Sequence, residues 1–477
     1  MSPTARHLQR SGGWLPDRRV ADYRPDPKIL ELGPDFYDAV EPAAFPECIP
    51  RFLNRRYADR VELELDGDGW ARQFCRFEPL PENLTEPLAL RYHGHQFRVY
   101  NPDIGDGRGF IFAQLRDDRG RLLDLGTKGS GQTPYSRHAD GRLTLKGGVR
   151  EILATEMLEA LGVNTSRTFA LFETGEALER GDEPSPTRSS VLTRLSHGHI
   201  RIGTFQRLAF FEQDENIRKL ILYCLEHLYS VQPARDDKEN ALRLFDLVCD
   251  ATATLAASYL AAGFVHGVLN SDNINITGES FDYGPWRFTP QWEPDFTAAY
   301  FDHYGLYSFG RQPEAIHWDL AQFAGCLSRV TEAAPLSEAL GAWGSRFEDA
   351  LTTQLLRRLG VETGKDDREL AAALIVALAT REATIDRIFF DWRGGRDPGA
   401  GKYPSEPFRS LSRALAGRER PRPHPYWSDP EPCSMHIDEV EAIWSAISER
   451  DDWRPFEDKV TAIRRMGDAM RGHASQG

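Results

Sequence analysis

Apolar and polar residues follow short, distinct patterns along the first two hundred residues of the chain. Apolar runs at 109–115 and 121–128 flank a polar, glycine-containing turn, and this arrangement predicts a β-hairpin. Residues 61–65 alternate with a period of two before the sequence DGDG, which predicts a further strand and turn. At 149–161 the apolar residues have helical spacing up to Gly162, which predicts a helix.

From about residue 205 onwards, apolar residues recur mainly with helical spacing. The pattern therefore predicts an α+β protein in which a small, β-rich lobe precedes a helical lobe. We expect an N-terminal arm with the first strands at 1–85, the mixed lobe at 86–204, the helical lobe at 205–390 and a helical extension at 391–477. The predicted helices lie at 216–229, 240–262, 315–330, 336–359, 368–379, 437–448 and 455–470.

The chain of 477 residues has a formal net charge of −14, with 40% apolar and 27% charged residues. This composition is typical of a globular protein with a large core, and the acidic balance argues against a nucleic-acid partner. The longest apolar run, 251–265, is interrupted by Thr, Ser, Tyr and Gly, so we expect no membrane partner and a cytoplasmic location. Six cysteines without C-x-x-C or metal-ligand spacing predict reduced, mostly buried thiols rather than disulfides.

The sequence HGVLNSDN at 266–273, followed by DYG at 282–284, resembles the catalytic motifs of protein kinases. Kinases use H-R-D-x-x-x-x-N and D-F-G to position a base and to hold magnesium on the nucleotide phosphates. In this chain, Val268 occupies the position of the kinase base, and an aspartate stands instead at Asp272. The motif therefore predicts a protein-kinase-like two-lobed fold that carries a metal site with a displaced base.

Oxygen donors in this motif suit a hard divalent cation. Asn273 offers a neutral oxygen and Asp282 an anionic one, a set that fits Mg²⁺ or Mn²⁺ bridging phosphates, with water completing the coordination. Asp272 is the candidate base that takes the proton of an acceptor hydroxyl. Its alternative role is to support the metal ligands through hydrogen bonds.

A lysine and a glutamate precede this motif in the order found in kinases, where such a pair holds the nucleotide phosphates. Lys128 ends the second strand of the predicted hairpin, and Glu151 lies in the first turn of the predicted helix. The sequence GDGR at 105–108 could approach phosphates through its glycines, although two glycines alone are more typical of a plain loop. Arg194 and Arg201 offer bidentate contacts to phosphate oxygens.

Longer blocks of the sequence resemble those of the selenoprotein O family, also called YdiU, whose members are pseudokinase-fold protein adenylyltransferases. The resemblance covers about residues 91–290 and weakens toward both ends. The last cysteine, Cys433, does not match the terminal cysteine or selenocysteine of some members. The blocks are GHQF (94–97), GDGR (105–108), KGSGQTPYSRHADGR (128–142), REIL (150–153), TRLSHGHIRIG (193–203), HGVLNSDN (266–273) and DYGP (282–285).

The resemblance implies that ATP binds in a flipped orientation, so that AMP is transferred to Ser, Thr or Tyr hydroxyls of protein substrates. Asp272 would be the base, and Asn273 with Asp282 would hold Mg²⁺ or Mn²⁺. Two other functions fit the same motifs: phosphoryl transfer on a kinase-like fold, and a catalytically silent, ATP-binding pseudokinase that acts as a scaffold. The residues implied to bind ATP are Gly105, Gly107, Arg108, Lys128, Asp140, Gly141, Glu151, Arg194, Arg201 and Asp282.

Overall fold

Strands are concentrated in the first two hundred residues of the computed structural model, and helices dominate the remainder. The structure describes residues 23–181, 183–399 and 401–472, so the first part of the predicted arm lies outside the described residues. The predicted α+β class is confirmed. Within the described residues the strands are β1 (Tyr37–Ala39), β2 (Ile49–Leu53), β3 (Leu88–Leu90), β4 (Gly94–Gln96), β5 (Val99–Asn101), β6 (Ile111–Arg116), β7 (Leu122–Lys128), β8 (Leu143–Thr144), β9 (Arg167–Leu178), β10 (Thr187–Ser196), β11 (Phe264–Val265) and β12 (Arg287–Phe288).

Eight of these strands form one sheet, in the order β1-β3-β6-β7-β10-β9-β2, with β8 paired to β10. The predicted hairpin is confirmed, because β6 and β7 pair antiparallel around the turn. On its other edge β7 pairs with β10, where Lys128 lies opposite Leu192. Since side chains two residues apart in a strand point to the same face, Lys128 and Arg194 project from the same face of the sheet.

The helices predicted in the second half of the chain are present, with two differences. The helix predicted at 336–359 is divided after Gly341, and α5 continues as a π-helical turn, Cys224–Leu228. The helices are α1 (Arg55–Arg60), α2 (Gly67–Phe74), α3 (Leu145–Leu161), α4 (Ile202–Phe210), α5 (Asp214–Tyr223), α6 (Asp237–Ala262), α7 (Gln312–Leu327), α8 (Ala333–Gly341), α9 (Trp343–Leu359), α10 (Asp367–Ala379), α11 (Ile385–Asp391), α12 (Glu406–Leu415), α13 (Ile437–Arg450) and α14 (Arg454–Arg471).

Helix α6 is the long central helix of the second half of the chain. By length and composition alone it could cross a membrane, but 72% of its most apolar 18-residue window is buried inside the protein. It packs against α5, α7, α8 and α9. Its apolar character therefore serves the core of the helical region.

The strand predicted at 61–65 is wrong. These residues form an irregular segment after α1, in which Val61 and Leu63 are buried in the same apolar cluster as Trp70 of α2. The glycine-rich sequence that follows begins α2 instead of forming a turn, because the Asp66 carboxylate caps the helix by accepting a hydrogen bond from a backbone amide. The alternation therefore reflects the burial of two side chains and not pairing with a neighbouring strand.

Helix α3 carries the predicted glutamate and contacts both the sheet and the C-terminal helices. It begins four residues earlier than predicted, because Thr144 Oγ1 accepts a hydrogen bond of 3.1 Å from a backbone amide in the first turn. It packs against β9 and β10 and against α13 and α14. Gly467 of α14 approaches so closely that an added Cβ would lie 3.3 Å from Ala160. Arg464 of α14 also pairs with Glu156 at 2.7 Å, so the last helix fixes the position of α3.

The prediction that the cysteines are reduced is wrong for one pair, because Cys48 and Cys75 form a disulfide. Cys75 follows α2, and the packing of α2 against β9 brings the two Cα atoms to 6.0 Å. The pair is 27 residues apart in the sequence, so no spacing motif marks it. The other cysteines are free thiols: Cys224, Cys249 and Cys326 are buried, and Cys433 is partly exposed.

Candidate active site

A buried ion pair joins the sheet to α3. The Lys128 ammonium at the end of β7 lies 2.8 Å from Glu151 Oε2, and the two side chains are only 5% and 1% exposed. Lys128 also donates a hydrogen bond of 3.2 Å to the carbonyl oxygen of Tyr283. The structure therefore brings together the strand lysine, the helix glutamate and the DYG sequence.

Glu151→Gln is expected to lower the free energy of unfolding by about 3 kcal/mol, because it leaves the Lys128 ammonium buried without its closest carboxylate. Urea unfolding measures the change. The pair between Lys146 and Glu441 is a matched control, since it also begins on α3 but is 25% and 45% exposed. Glu441→Gln should therefore cost less than about 1 kcal/mol. Equal losses in the two variants would contradict a special role for the buried pair.

Three cationic side chains converge on the carboxylate of Asp282. Lys128 and Arg194 each lie 3.3 Å from Oδ1, and Arg201 lies 3.7 Å from Oδ2. Burial alone would raise the pKa of Asp282, but these cations and Arg108 hold it well below its usual range. Asp282 is therefore ionised, and 25% of its side chain remains exposed. Its φ of +64° is uncommon for a residue other than glycine.

Arg201 connects three parts of the site and is only 1% exposed. Its guanidinium stacks on Tyr92 at 4.1 Å and on Phe281 at 4.8 Å. It also donates a hydrogen bond of 2.9 Å to the backbone oxygen of Asp272 and lies 3.4 Å from Asp106 Oδ1. Sequence reasoning assigned no role to Tyr92 or Asp106, and the only available signal was their position in or beside the blocks GHQF and GDGR.

The turn at 105–108 is held in place by the loop that follows β7. An added Cβ on Gly105 would lie 2.5 Å from the Tyr135 ring, and one on Gly107 would lie 3.0 Å from the Tyr135 carbonyl oxygen. Glycine at both positions therefore allows the loop to close on the turn. Arg108 is exposed at the end of the turn, and its charge contributes to the low pKa of the DYG aspartate.

Two of the predicted nucleotide-binding residues lie outside the group of cations. Asp140 is exposed, and its carboxylate lies 2.9 Å from Arg180. Gly141 has a φ of +71°, and its carbonyl oxygen accepts a hydrogen bond of 3.2 Å from Gly131 N. These contacts support the loop after β7, and a role for the two residues in binding ATP stays a prediction.

Asp272 is 7% exposed. Its Oδ1 is buried and has no hydrogen-bond partner among the described residues. Burial raises the pKa of this carboxyl to about 6, while the charge of Arg201 opposes the rise. Gly94 of the GHQF block makes room for the side chain, since an added Cβ there would lie 2.8 Å from Oδ1. A carboxylate with these properties is suited to accept a proton.

Asn273 follows Asp272 in a short 3₁₀ turn, and its side-chain nitrogen donates a hydrogen bond of 2.9 Å to the carbonyl oxygen of Val268. This bond fixes the amide and leaves Oδ1 available as a ligand. Together, Asn273 Oδ1, the ionised Asp282 carboxylate and the unpartnered oxygen of Asp272 form a donor set that fits a hard divalent cation. No three His, Cys, Asp or Glu side chains within the described ranges are arranged to hold a metal ion, so phosphate and water would supply the remaining ligands.

The segment that leads to the DYG sequence carries a second buried carboxyl, Glu279. Its Oε2 accepts a hydrogen bond of 2.8 Å from His197 N. Burial raises its pKa to about 7, although the charge of Arg167 opposes the rise. The folded state thus binds this proton more tightly than the unfolded chain does. The stability linked to this proton is therefore fully present below about pH 4.5 and is lost as the pH rises toward 7.

Glu279→Gln keeps an acceptor oxygen and removes the titrating group. The melting temperature of the variant, relative to that of the unaltered protein, is therefore expected to rise between pH 5 and pH 7.5. Thermal unfolding at several pH values measures the difference. The exposed Glu86 provides a control, because Glu86→Gln should leave the pH dependence unchanged. Parallel curves for the Glu279→Gln variant and the unaltered protein would contradict the assignment.

The arrangement of these groups defines the class of protein. Cations surround the Asp282 carboxylate, which can hold a metal, and the Asp272 carboxylate is free to accept a proton. A transferase that uses a nucleotide requires both features. Comparison with known proteins identifies the family within this class. The chain belongs to the SelO family, since the sequence model described as "Protein adenylyltransferase SelO" matches residues 20–399.

Curated relatives extend the similarity over most of the chain. The "Protein nucleotidyltransferase YdiU" of Synechocystis sp. is 39% identical over 476 residues, which cover 92% of this chain and 97% of the relative. The protein of the same name from Gloeobacter violaceus is 42% identical over 464 residues, which cover 92% and 95% of the two chains. The one from Pseudomonas putida F1 is 38% identical over 378 residues, covering 78% and 76%. The resemblance inferred from the sequence blocks is confirmed.

Proposed function

We propose that this protein transfers AMP from ATP to Ser, Thr or Tyr hydroxyls of protein substrates, with Mg²⁺ or Mn²⁺ bound at the phosphates. The observation that carries the proposal is the position of the candidate base. Val268 occupies the kinase position, whereas Asp272 is buried, has an unpartnered oxygen and has a raised pKa. The printed names of the family and of its relatives support nucleotidyl transfer to a protein.

The same proposal includes a two-lobed, kinase-like arrangement. Residues 86–204 would form the mixed lobe and residues 205–390 the helical lobe, with 1–85 and 391–477 as flanking segments. Lys128 comes from the sheet, whereas Asp282 follows the central helix, and the two side chains are 3.3 Å apart. This contact supports a nucleotide site at the junction of the lobes.

In this scheme the cations bind and orient the triphosphate. Lys128, Arg194 and Arg201 already surround one carboxylate, so their charges are preorganised for phosphate oxygens. Asn273 and Asp282 would hold a divalent cation, which neutralises charge on the phosphates when bound. The acceptor would approach the α-phosphorus on the side of the second carboxylate.

The transfer forms one bond and breaks another. The acceptor hydroxyl oxygen attacks the α-phosphorus and forms the new P–O bond to AMP, while its proton passes to the Asp272 carboxylate. The bond between the α-phosphorus and the oxygen that bridges to the β-phosphate breaks, and pyrophosphate leaves. Because burial raises the pKa of Asp272 to about 6, this carboxylate is a stronger base than an exposed aspartate.

Labelled ATP tests the reaction directly. The protein is incubated with Mg²⁺ or Mn²⁺ and with ATP labelled at either the α- or the γ-phosphate, and intact-mass spectrometry follows. Retention of the α-label, with a mass increase equal to AMP, is the expected result. Retention of the γ-label would identify a kinase-like phosphotransferase instead. ATP binding without covalent label would identify a silent pseudokinase, and either outcome would overturn the proposal.

A further inference from the structure

A cavity of about 750 Å³ lies where the end of α3, the start of β9, α9 and the end of α14 meet. It is distinct from the candidate active site, although the two share β10 and the segment before DYG: Arg194 contacts Asp282, whereas Leu195, Ser196 and Glu279 line the cavity. Ten arginines line the cavity, against two glutamates and one aspartate. Such an excess of cations is unexpected in a chain with a net charge of −14.

Neighbouring carboxylates neutralise only some of these arginine charges. Six of the arginines pair with an acidic residue outside the lining, and one of these, Arg56, also shares Glu159 with Arg167. Arg119, Arg357 and Arg393 have no carboxylate within 4.0 Å among the described residues. The cavity wall therefore carries at least three cations that lack a counter-charge in the described part of the chain.

Of these three arginines, Arg393 gives the strongest argument for a bound anion, because it is only 1% exposed. Its guanidinium donates hydrogen bonds to the carbonyl oxygens of Arg357, Arg358 and Met470, at 2.9, 2.7 and 3.3 Å, and only its Nε has no partner among the described residues. Burial, together with the charges of Arg357 and Arg358, lowers the pKa of Arg393 to about 10. A buried cation without a carboxylate is costly, unless a bound anion completes the site.

Two glycines make space for these guanidinium groups. An added Cβ on Gly162 would lie 2.3 Å from Arg357, and one on Gly360 would lie 2.4 Å from Arg393. Both glycines have positive φ values, of +84° and +68°, and each follows the end of a helix. The backbone around the cavity is thus shaped to hold arginine side chains at its wall.

We propose that this cavity binds a small molecule that carries several phosphate groups. Arginine is the side chain best suited to bind phosphate, because its planar guanidinium presents paired N–H donors. Three cations without counter-charges favour a ligand that carries several negative charges, and a volume of about 750 Å³ is that of a small-molecule pocket. Inorganic polyphosphates and nucleoside polyphosphates share this chemistry. The inference is independent of the reaction proposed above.

Isothermal titration calorimetry with inorganic tripolyphosphate tests the proposal, with the candidate active site first saturated by a non-hydrolysable ATP analogue. One equivalent is expected to bind the unaltered protein. The double variant Arg119→Gln/Arg357→Gln should weaken this binding at least tenfold, and it is expected to fold because both side chains are exposed. Arg243→Gln is the matched control, since Arg243 is an exposed arginine that bonds only a backbone carbonyl, at 3.1 Å.

No binding to the unaltered protein, or equal binding to the double variant, would overturn the proposal. ADP used as a second probe under the same conditions distinguishes the sources: tighter binding than that of tripolyphosphate assigns a nucleotide, and weaker binding assigns an inorganic polyphosphate. Arg393→Met provides an independent measurement, because an apolar side chain of similar length is tolerated in place of a buried charge. Tripolyphosphate should raise the melting temperature of the unaltered protein and of Arg243→Gln, but not that of Arg393→Met.

Discussion

Asp282→Asn is expected to lower kcat/KM for AMP transfer by about 10³-fold or more. The substitution preserves the shape of the side chain but removes the charge that faces Lys128, Arg194 and Arg201. It also removes the anionic oxygen available to a divalent cation, so excess Mg²⁺ should not restore activity. The rate of α-label incorporation at ATP concentrations well below KM, measured over a range of Mg²⁺ concentrations, checks this result.

Loss of this charge also leaves three cations close together, so circular dichroism and thermal unfolding must accompany the assay. Asp246→Asn is the matched control, because Asp246 pairs with Arg346 on the exposed side of α6. That variant should retain full activity. Full activity of Asp282→Asn at limiting Mg²⁺, in a folded protein, would rule out a role for Asp282 in holding the metal.

Asp272→Asn is expected to reduce kcat by about 10²- to 10⁴-fold, the usual contribution of a general base. The affinity for ATP should change little. Arg201 bonds the backbone oxygen of residue 272 and not its carboxylate, so the substitution leaves the cations in place. Single-turnover label transfer gives the rate, and calorimetry with a non-hydrolysable ATP analogue gives the affinity.

The separation of rate from affinity decides between the two roles of Asp272. A loss of nucleotide affinity with an unchanged rate would show that its carboxylate supports the metal ligands instead of accepting a proton. Asp295→Asn serves as the control, because Asp295 is an exposed aspartate beyond the DYG sequence. It should change neither quantity.

The features predictable from sequence were those that depend on neighbouring residues. The hairpin of β6 and β7 follows from two apolar runs and a turn, and the position of Lys128 follows from that hairpin. The order of strand, lysine, helix and glutamate then indicated the pair with Glu151, which the structure places at 2.8 Å. Local spacing gave a wrong prediction at 61–65. Alternation of apolar and polar residues is found in strands, but here it comes from buried side chains in an irregular segment.

Features that depend on distant contacts had no local signal. Arg201 reaches Asp106, which lies 95 residues earlier, and stacks on Tyr92 and Phe281 from two different parts of the chain. Similarly, the two cysteines of the disulfide are brought together by the packing of both α2 and β2 against β9. The cationic cavity gathers arginines from across the sequence, whereas composition alone predicts an acidic protein.

The contact between α3 and α14 has a consequence for the order in which the protein is completed on the ribosome. Arg464 is 308 residues beyond its partner Glu156. At a synthesis rate of about 5–20 residues per second, α3 waits roughly 15 to 60 seconds for α14 to emerge. The helix that bears Glu151 therefore spends that time with part of its apolar surface uncovered.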